Sequence, residues 1–228
     1  MIIIELENVS KSFKGGVLFD SINLTIKKGG IYGFIGPNGS GKTVLFKMIC
    51  GFIFPDEGRI IVNNQEIGNS KNRFPKDIGI ILERPGYIAS KTGFENLKDL
   101  SLIKNRISDS TIKKSMEIIG LDPNSKQKVK NFSLGMKQKL AISQAIMENP
   151  EILIMDEPFN ALDEYSVNIT RKLLKSLKAE GKTILLTSHN NDDINSLCDY
   201  VFRINNNKIE QINVERDKMN RLVQKTKI

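Results

Sequence analysis

The chain has 228 residues, 39% of them apolar and 26% charged, which is typical of one globular domain with a substantial core. Its densest apolar stretch, Met48–Pro55, is far shorter than the roughly 20 residues of a membrane-spanning helix. The first residues lack the basic segment of a signal peptide. Cys50 and Cys198 follow no metal or redox spacing. We therefore expect a cytosolic protein with reduced thiols.

The net charge of +8 is concentrated in one part of the chain. Between Lys91 and Lys139, eleven Lys or Arg residues stand against five Asp or Glu residues. Such a stretch is compatible with a solvated surface, and also with a face that binds nucleic acid or anionic lipid. Charge alone does not decide the function.

Short runs of Ile, Val and other apolar residues predict β-strands at Ile2–Leu6, Gly30–Ile35, Ile78–Leu82, Ile152–Met155 and Thr183–Thr187. Because these runs are continuous, the strands are expected in a parallel sheet that is covered on both faces. Helical patterns between the strands comprise Thr43–Cys50 and the apolar face of Ile169, Leu173, Leu174 and Leu177 that ends before Gly181. This alternation predicts an α/β fold. The lysine-rich stretch from Ile88 to Met147 predicts a helical subdomain inserted into the α/β core.

A phosphate-binding loop is predicted where a strand is followed by Gly36, Pro37, Asn38, Gly39, Ser40, Gly41, Lys42 and Thr43, which match G-x-x-x-x-G-K-[ST]. The glycines let successive backbone N–H groups face phosphate oxygens, and the N-terminus of the next helix adds partial positive charge. Lys42 is expected to reach the β- and γ-phosphates, and the Thr43 hydroxyl to ligate Mg²⁺. These residues predict a nucleotide triphosphate site.

Three further polar residues follow predicted buried strands. Asp156 and Glu157 come directly after Ile152–Met155, at the strand end where open α/β sheets bind ligands. Asp156 is expected to hold Mg²⁺, and Glu157 to polarise a water aimed at the γ-phosphate. His189, two residues after Thr187, is expected to contact the γ-phosphate or that water. The second acid favours hydrolysis by water over transfer to an acceptor.

Together these motifs resemble the nucleotide-binding subunit of ATP-binding cassette (ABC) transporters, over nearly the whole chain. Phe132–Leu140 resembles the family signature, usually written L-S-G-G-Q, and Asn160–Asp163 resembles the D-loop. His189 corresponds to the switch histidine. Glu83 stands where the Q-loop glutamine is expected, and Phe13 is the aromatic residue expected to stack on adenine.

The resemblance implies an α/β P-loop NTPase (RecA-like) fold with a mostly parallel sheet core, an inserted helical subdomain and an N-terminal antiparallel β portion. It implies one ABC ATPase domain over residues 1–228, with the core in 1–87 and 148–212, the helical subdomain in 88–147 and a tail in 213–228. It also implies that ATP is bound and hydrolysed. Lys42, Glu157 and His189 are then catalytic, Ser133, Gly135, Met136 and Asp163 contact nucleotide, and Glu83 joins Thr43 and Asp156 at Mg²⁺.

The signature also predicts a second anion site. Ser133 can cap the helix that begins at Leu134, and Gly135 permits close backbone approach, so the N-terminus of this helix can receive a γ-phosphate. One chain's phosphate loop already surrounds its own nucleotide, so this site needs another chain. The family's arrangement is a head-to-tail dimer around two ATP molecules, here expected to be a homodimer.

A separate membrane-spanning permease is the other partner that the resemblance implies, because the chain has no span of its own. The subunit would then lie in the cytoplasm, peripheral on the inner face of the membrane, with the permease docking around Pro85–Phe94. No specific nucleic acid is expected. The tail residues Met219, Leu222 and Val223 have helical spacing and are expected to pack on the core.

Three positions depart from the usual family pattern: Leu134, Met136 and Glu83. The combination S-L-G-M-K-Q with a Q-loop glutamate resembles bacterial exporter ATPases of the bacitracin and lantibiotic type. Two alternatives remain open at this point. One is an ABC-type ATPase that acts on nucleic acid or ribosomes through the lysine-rich stretch, and the other is a regulatory cassette that binds ATP but hydrolyses it poorly.

Overall fold

The computed structural model describes residues 1–69, 72–83, 86–104 and 106–212, which form two compact units. The first unit comprises the described residues within Met1–Lys76 and Leu185–Ile228, and the second comprises those within Asp77–Ile184. The predicted tail, with Met219, Leu222 and Val223, lies outside the described residues, as does Pro85 in the predicted docking loop.

The strands of the described chain, in order, are β1 (Ile2–Phe13), β2 (Gly16–Lys27), β3 (Ile31–Ile35), β4 (Glu57–Val62), β5 (Gln65–Glu66), β6 (Ile78–Ile81), β7 (Ile152–Met155), β8 (Thr183–Thr187), β9 (Tyr200–Asn205) and β10 (Lys208–Ile212). The helices are α1 (Lys42–Ile49), α2 (Gly93–Lys104), α3 (Asp109–Ile118), α4 (Leu134–Ile146), α5 (Glu164–Ala179) and α6 (Asn191–Leu197), with a short 3-10 helix at Val129–Asn131. From α4 to β9, helices and strands alternate as predicted for an α/β fold, whereas β1 to β3 and β4 to β6 follow one another without an intervening helix among the described residues.

The first unit contains an antiparallel sheet in the order β2-β1-β4-β5. The prediction that Ile2–Leu6 lies in a parallel sheet is wrong, because β1 pairs antiparallel with both β2 and β4. The physical reason is the connection: only Lys14 and Gly15 separate β1 from β2, and so short a link can join only antiparallel strands. The antiparallel β portion implied by the family resemblance is confirmed.

The same unit carries the strand that leads into the phosphate loop. Strand β3 pairs in parallel with β9, with Ile35 opposite Arg203. An aromatic cluster joins β3 to α1 and β9: the rings of Phe34 and Phe46 meet edge to face at 5.3 Å, and those of Phe34 and Phe202 stack at 5.4 Å. Each such pair contributes about 0.5–1.5 kcal/mol beyond the burial of its area. These contacts hold both ends of the loop.

The second unit combines two parallel strands with the helices of the lysine-rich stretch. Strands β6 and β7 pair in parallel, and all four residues of β7 are buried, which explains its continuous apolar sequence. The helices predicted between Ile88 and Met147 are α2, α3 and α4. Helix α2 begins with a capping box, because the Thr92 backbone N–H donates to Glu95 and the Glu95 N–H donates to the Thr92 hydroxyl.

Helix α5 follows the predicted apolar face only in part. Leu174 is buried, but Ile169, Leu173 and Leu177 are half-buried, and two polar residues, Ser166 and Thr170, are fully buried beside Leu174. The Thr170 hydroxyl donates to the Ser166 carbonyl oxygen at 2.8 Å, which permits its burial. In the described part of the chain, no helix is both long and apolar enough to cross a membrane.

Candidate active site

The phosphate-binding loop of the first unit connects β3 to α1. Gly39 and Gly41 have φ angles of +81° and +103°, in the left-handed region that residues with side chains rarely adopt. Lys42 is the first residue of α1, and its Nζ donates hydrogen bonds to the carbonyl oxygens of Gly36 at 2.7 Å and Pro37 at 3.1 Å. The lysine ammonium is therefore held at the loop instead of extending into solvent.

The loop packs closely against β9, and two of its features fit a nucleotide triphosphate. A Cβ at Gly36 would lie 2.5 Å from the Ile204 carbonyl oxygen, so the close approach of β9 requires glycine. The buried Ser40 hydroxyl has no hydrogen-bond partner among the described residues. No acidic residue stands in the first turn of α1, a helix that the structure describes completely, so no carboxylate competes for its N-terminal amides. A glycine cradle with a cation and helix amides suits phosphate oxygens.

His189 lies beside the start of this loop. It is exposed, and together with Gly36, Pro37 and Arg203 it lines a cavity of about 440 Å³ that Ser188, Asn191 and Asn205 also border. Hydrogen bonds of the Ser188 hydroxyl hold the backbone on both sides of His189. The Ser188 hydroxyl donates to the carboxylate of buried Asp193 at 2.8 Å and accepts from the Asn190 N–H at 3.1 Å. These two bonds hold the residues on either side of the histidine.

The two acids at the end of β7 share a cavity in the second unit. Asp156 and Glu157 line a space of about 290 Å³ together with Glu83 and Gln138, which Tyr87, Leu134, Lys137, Asn160 and Ala161 complete. The Asp156 N–H donates to the Ile81 carbonyl oxygen at 2.7 Å, which extends the pairing of β7 with β6 up to the acids. Burial raises the pKa of the Tyr87 hydroxyl. Three carboxylates thus border one cavity.

The described residues contain no group of three or more His, Cys, Asp or Glu side chains arranged to hold a metal ion. The residues predicted to meet at Mg²⁺ include the Thr43 hydroxyl, which lies in the first turn of α1, and the carboxylates of Asp156 and Glu83. Hydroxyl and carboxylate oxygens are donors that suit Mg²⁺. A magnesium ion carried in with nucleotide phosphates needs few protein ligands, so the chemistry of these oxygen atoms suits it.

The signature segment has the local structure that its sequence predicted. Ser133 is the N-cap of α4, and its hydroxyl accepts the Met136 N–H at 3.1 Å. A Cβ at Gly135 would lie 2.7 Å from the Ala161 carbonyl oxygen, so this glycine does permit a close backbone approach. Leu134 is 56% exposed. The beginning of α4 is therefore capped and accessible.

Asp163 and Phe13 occupy positions with evident local roles. Asp163 is the N-cap of α5, and its carboxylate accepts the Ser166 N–H at 2.7 Å, which lowers the pKa of that carboxyl group. Phe13 ends β1 and is 50% exposed, with the Lys11 ammonium 5.4 Å from its ring centroid. An exposed ring at a strand end is available to stack on a planar ligand.

The sequence reasoning did not identify four residues that border these cavities or brace them. Arg203 is brought to Gly36 by the pairing of β9 with β3, and Tyr87 lies in a segment without periodicity. Gln138 lies in the signature helix and was not among the predicted site residues. Asp193 could not have been singled out, because the exposed Asp192 beside it is the same residue type and only the structure shows that Asp193 is buried.

The model of the ABC transporter family matches residues 19–160 of the chain, a range that includes the phosphate loop, the signature and both acids. The chain belongs to the ABC transporter family. The resemblance to this family that the sequence motifs indicated is therefore confirmed. This ABC subunit binds and hydrolyses ATP, and it is the ATPase subunit of a transporter.

Two relatives of this ABC subunit show how far the likeness extends. It is 43% identical to the uncharacterized ABC transporter ATP-binding protein YybJ of Bacillus subtilis (strain 168) over 208 residues, 91% of this chain and 95% of YybJ. It is 36% identical to the bacitracin transport ATP-binding protein BcrA of Enterococcus faecalis over 222 residues, 96% of this chain and 72% of BcrA. The predicted likeness to bacitracin-type ATPases is therefore confirmed.

A solved structure supports the fold of this ABC subunit. The dimeric structure of MJ0796, a bacterial ABC transporter cassette, matches it with a TM-score of 0.81 and 25% identity, over 92% of this chain and 99% of that one. The P-loop NTPase fold predicted from the resemblance is thus confirmed.

Proposed function

We propose that this ABC subunit hydrolyses ATP with Glu157 as the residue that polarises the attacking water. Glu157 directly follows the buried strand β7 and lines one cavity with Asp156, and this is the observation that carries the proposal. Lys42 neutralises phosphate charge at the loop, and His189 holds the γ-phosphate edge. Phe13 stacks on the adenine, and Ser133, Gly135, Met136 and Asp163 contact nucleotide.

Mg²⁺ is part of the proposal, with Thr43, Asp156 and Glu83 as the residues that would hold it or its waters. When bound, the ion neutralises negative charge on the β- and γ-phosphates. The acidic side chains of the site supply oxygen ligands and a proton acceptor. Asp156 and Glu83 supply oxygen donors, and Glu157, one residue further on, remains available to accept a proton from water.

Two subunits are proposed to work head to tail as a homodimer. The support is the start of α4, which is capped and accessible and therefore offers an anion site. The nucleotide bound by the same chain does not need this site, because the phosphate loop of that chain already surrounds it. The MJ0796 cassette is dimeric. In this arrangement the signature of one chain contacts the nucleotide held by the phosphate loop of the other.

The dimer is proposed to power a separate membrane-spanning permease on the inner face of the membrane, in an exporter of antimicrobial peptides or drugs. BcrA is a bacitracin transport ATP-binding protein, and its likeness to this chain supports that substrate class. The segment from Pro85 to Phe94 is proposed as the docking loop for the permease. The transport cycle closes the dimer on ATP and reopens it after hydrolysis.

The lysine-rich stretch does not favour a nucleic-acid function. Several of its ammonium groups already form ion pairs within the second unit: Lys91 with Asp99, Lys98 with Asp109, Lys104 with Glu148 and Lys128 with Glu95. A lysine engaged in this way offers less charge to a phosphate backbone, where affinity depends on free cations. We therefore propose no specific nucleic-acid partner.

The first test of this function is the substitution Glu157→Gln, with Glu164→Gln as the matched control in the first turn of α5. We expect Glu157→Gln to keep ATP binding and to lower turnover by at least about 100-fold, which is typical for loss of a catalytic group. The control should stay within about twofold of the unmodified protein. Near-normal turnover in Glu157→Gln would contradict the role of Glu157.

The second test identifies the partner. Tagged Glu157→Gln protein would be purified with ATP and Mg²⁺ from gently solubilised cells of the native host, and copurifying proteins would be identified by mass spectrometry. We expect a hydrophobic protein with several membrane spans. Ribosomal proteins or nucleic acid in its place would overturn the transporter partner and favour the lysine-rich stretch as a functional surface.

A further inference from the structure

The segment from Glu157 to Ala161 has an unusual backbone conformation at both ends. Glu157 has a φ of +52° and Ala161 a φ of +63°, in the left-handed region that is unfavourable for residues with a Cβ. A residue with a Cβ is strained in this region and persists there only where the surroundings hold it. Contacts from outside the segment must therefore stabilise this conformation.

Helix α4 supplies these contacts at both ends of the segment. At one end, the Gln138 Nε2 donates to the Pro158 carbonyl oxygen at 3.0 Å and to the Glu157 carbonyl oxygen at 3.4 Å. At the other end, Gly135 lets the Ala161 carbonyl oxygen approach to where a Cβ would stand 2.7 Å away. The segment that carries Glu157 thus rests on the first turns of the signature helix.

The chemistry of Gln138 suits this position better than that of its isosteres. A carboxamide nitrogen has two N–H groups, enough for both carbonyl oxygens. A glutamate would place an acceptor against two acceptors, and a methionine would offer no donor. Gln138 also lines the cavity that contains Asp156 and Glu157, so its amide group lies at the site it would organise.

We infer that Gln138 is a positioning residue for Glu157: its amide fixes the Glu157–Pro158 backbone and ties the proposed catalytic carboxylate to the signature helix of its own chain. The inference rests on the proposed role of Glu157. It has a mechanical consequence. Because α4 begins at the signature, any displacement of the start of α4 is transmitted through Gln138 to the backbone of Glu157.

The test compares Gln138→Met and Gln138→Glu with the unmodified protein, with Gln144→Met on the same helix as the control. For Gln138→Met we expect turnover to fall about tenfold, since small misplacements of a catalytic group have effects of this order or larger. Gln138→Glu should fall further, while the KM for ATP changes less than about twofold in both variants. Gln144→Met should retain turnover within about twofold.

A second readout needs no nucleotide. Amide hydrogen exchange of the peptide covering residues 157–162 in the nucleotide-free protein should become about tenfold faster in Gln138→Met and faster still in Gln138→Glu. The amides concerned include Asn160, whose N–H donates to the Glu157 carbonyl oxygen at 3.2 Å. Gln144→Met should leave this exchange unchanged.

The order of the variants in turnover and in hydrogen exchange tests the inference. If Gln138 only fills space, both isosteric variants will match the unmodified protein in turnover and exchange, and the inference is wrong. Glu157→Gln measured beside them separates the two levels of the proposal. Normal turnover in Glu157→Gln would contradict the role of Glu157 itself. A strong loss of turnover in Glu157→Gln, together with normal turnover in both Gln138 variants, would overturn only the positioning role of Gln138.

Discussion

Replacing Ser188 by alanine should weaken the local structure around His189 and lower ATP turnover. The Ser188 hydroxyl connects the buried carboxylate of Asp193, which is 2% exposed, to the backbone N–H of Asn190. Ser188→Ala removes both bonds without adding bulk. The residues on each side of His189, Ser188 and Asn190, then lose these two contacts.

The magnitude follows from the two bonds. A hydrogen bond to a charged group contributes about 1.5–3 kcal/mol, and one between neutral groups about 0.5–1.5 kcal/mol. Asn190 is exposed, so water replaces most of the second bond. We therefore expect the free energy of unfolding to fall by about 2–3 kcal/mol.

The assay is urea unfolding of the nucleotide-free protein, followed by steady-state ATP hydrolysis under conditions where the protein is folded. Ser196→Ala is the control, because the Ser196 hydroxyl also contacts Asp193, donating to its backbone carbonyl oxygen at 3.3 Å from an exposed position. The control should change stability by less than about 0.5 kcal/mol. In Ser188→Ala turnover should fall more than the affinity for ATP. Equal losses of stability in the two variants would refute the reasoning.

Two further outcomes concern the second unit. The pKa of Glu95 is lowered to about 2, mainly by the N–H of Thr92 and also by Lys128. A carboxyl group whose pKa is lowered by folding stabilises the folded protein fully above its ordinary pKa of about 4.5, and this stabilisation is lost as the pH falls and the carboxylate is protonated. Thermal melts should therefore show Glu95→Gln to be less stable than the unmodified protein at pH 7, and this difference in stability should shrink from about pH 4.5 towards pH 2. A difference in stability that does not depend on pH would contradict this. Gly79→Ala should lower the free energy of unfolding by about 1–3 kcal/mol in urea titrations, because its Cβ would lie 2.0 Å from the Ala145 carbonyl oxygen. Gly86→Ala, where nothing lies within 4 Å of the added Cβ, should change it far less.

Five of the ten described strands, β1, β3, β6, β7 and β8, could be predicted, because each is marked by an apolar run in the sequence. Strands β7 and β8 have the predicted bounds, since a strand that is covered on both faces gives a continuous run of apolar and β-branched residues. The start of strand β1 was predicted correctly, but the strand continues to Phe13, beyond the predicted end at Leu6, and its pairing was predicted wrongly. An apolar run indicates burial, but the direction of its partner depends on the length of the connection and on residues further along the chain.

The sequence by itself determined the chemistry of the phosphate loop. Its glycines, Lys42 and the start of α1 are consecutive, so their arrangement depends on local backbone geometry, which residue types set directly. The cap at Ser133 was predictable for the same reason. Only the tertiary structure decided the contact of Gln138 with the carbonyl oxygens of Glu157 and Pro158, 19 and 20 residues away, and the approach of Arg203 to Gly36. Such contacts follow from helix packing and strand register, which arise from the burial of the whole core and leave no mark on the neighbouring residues in the chain.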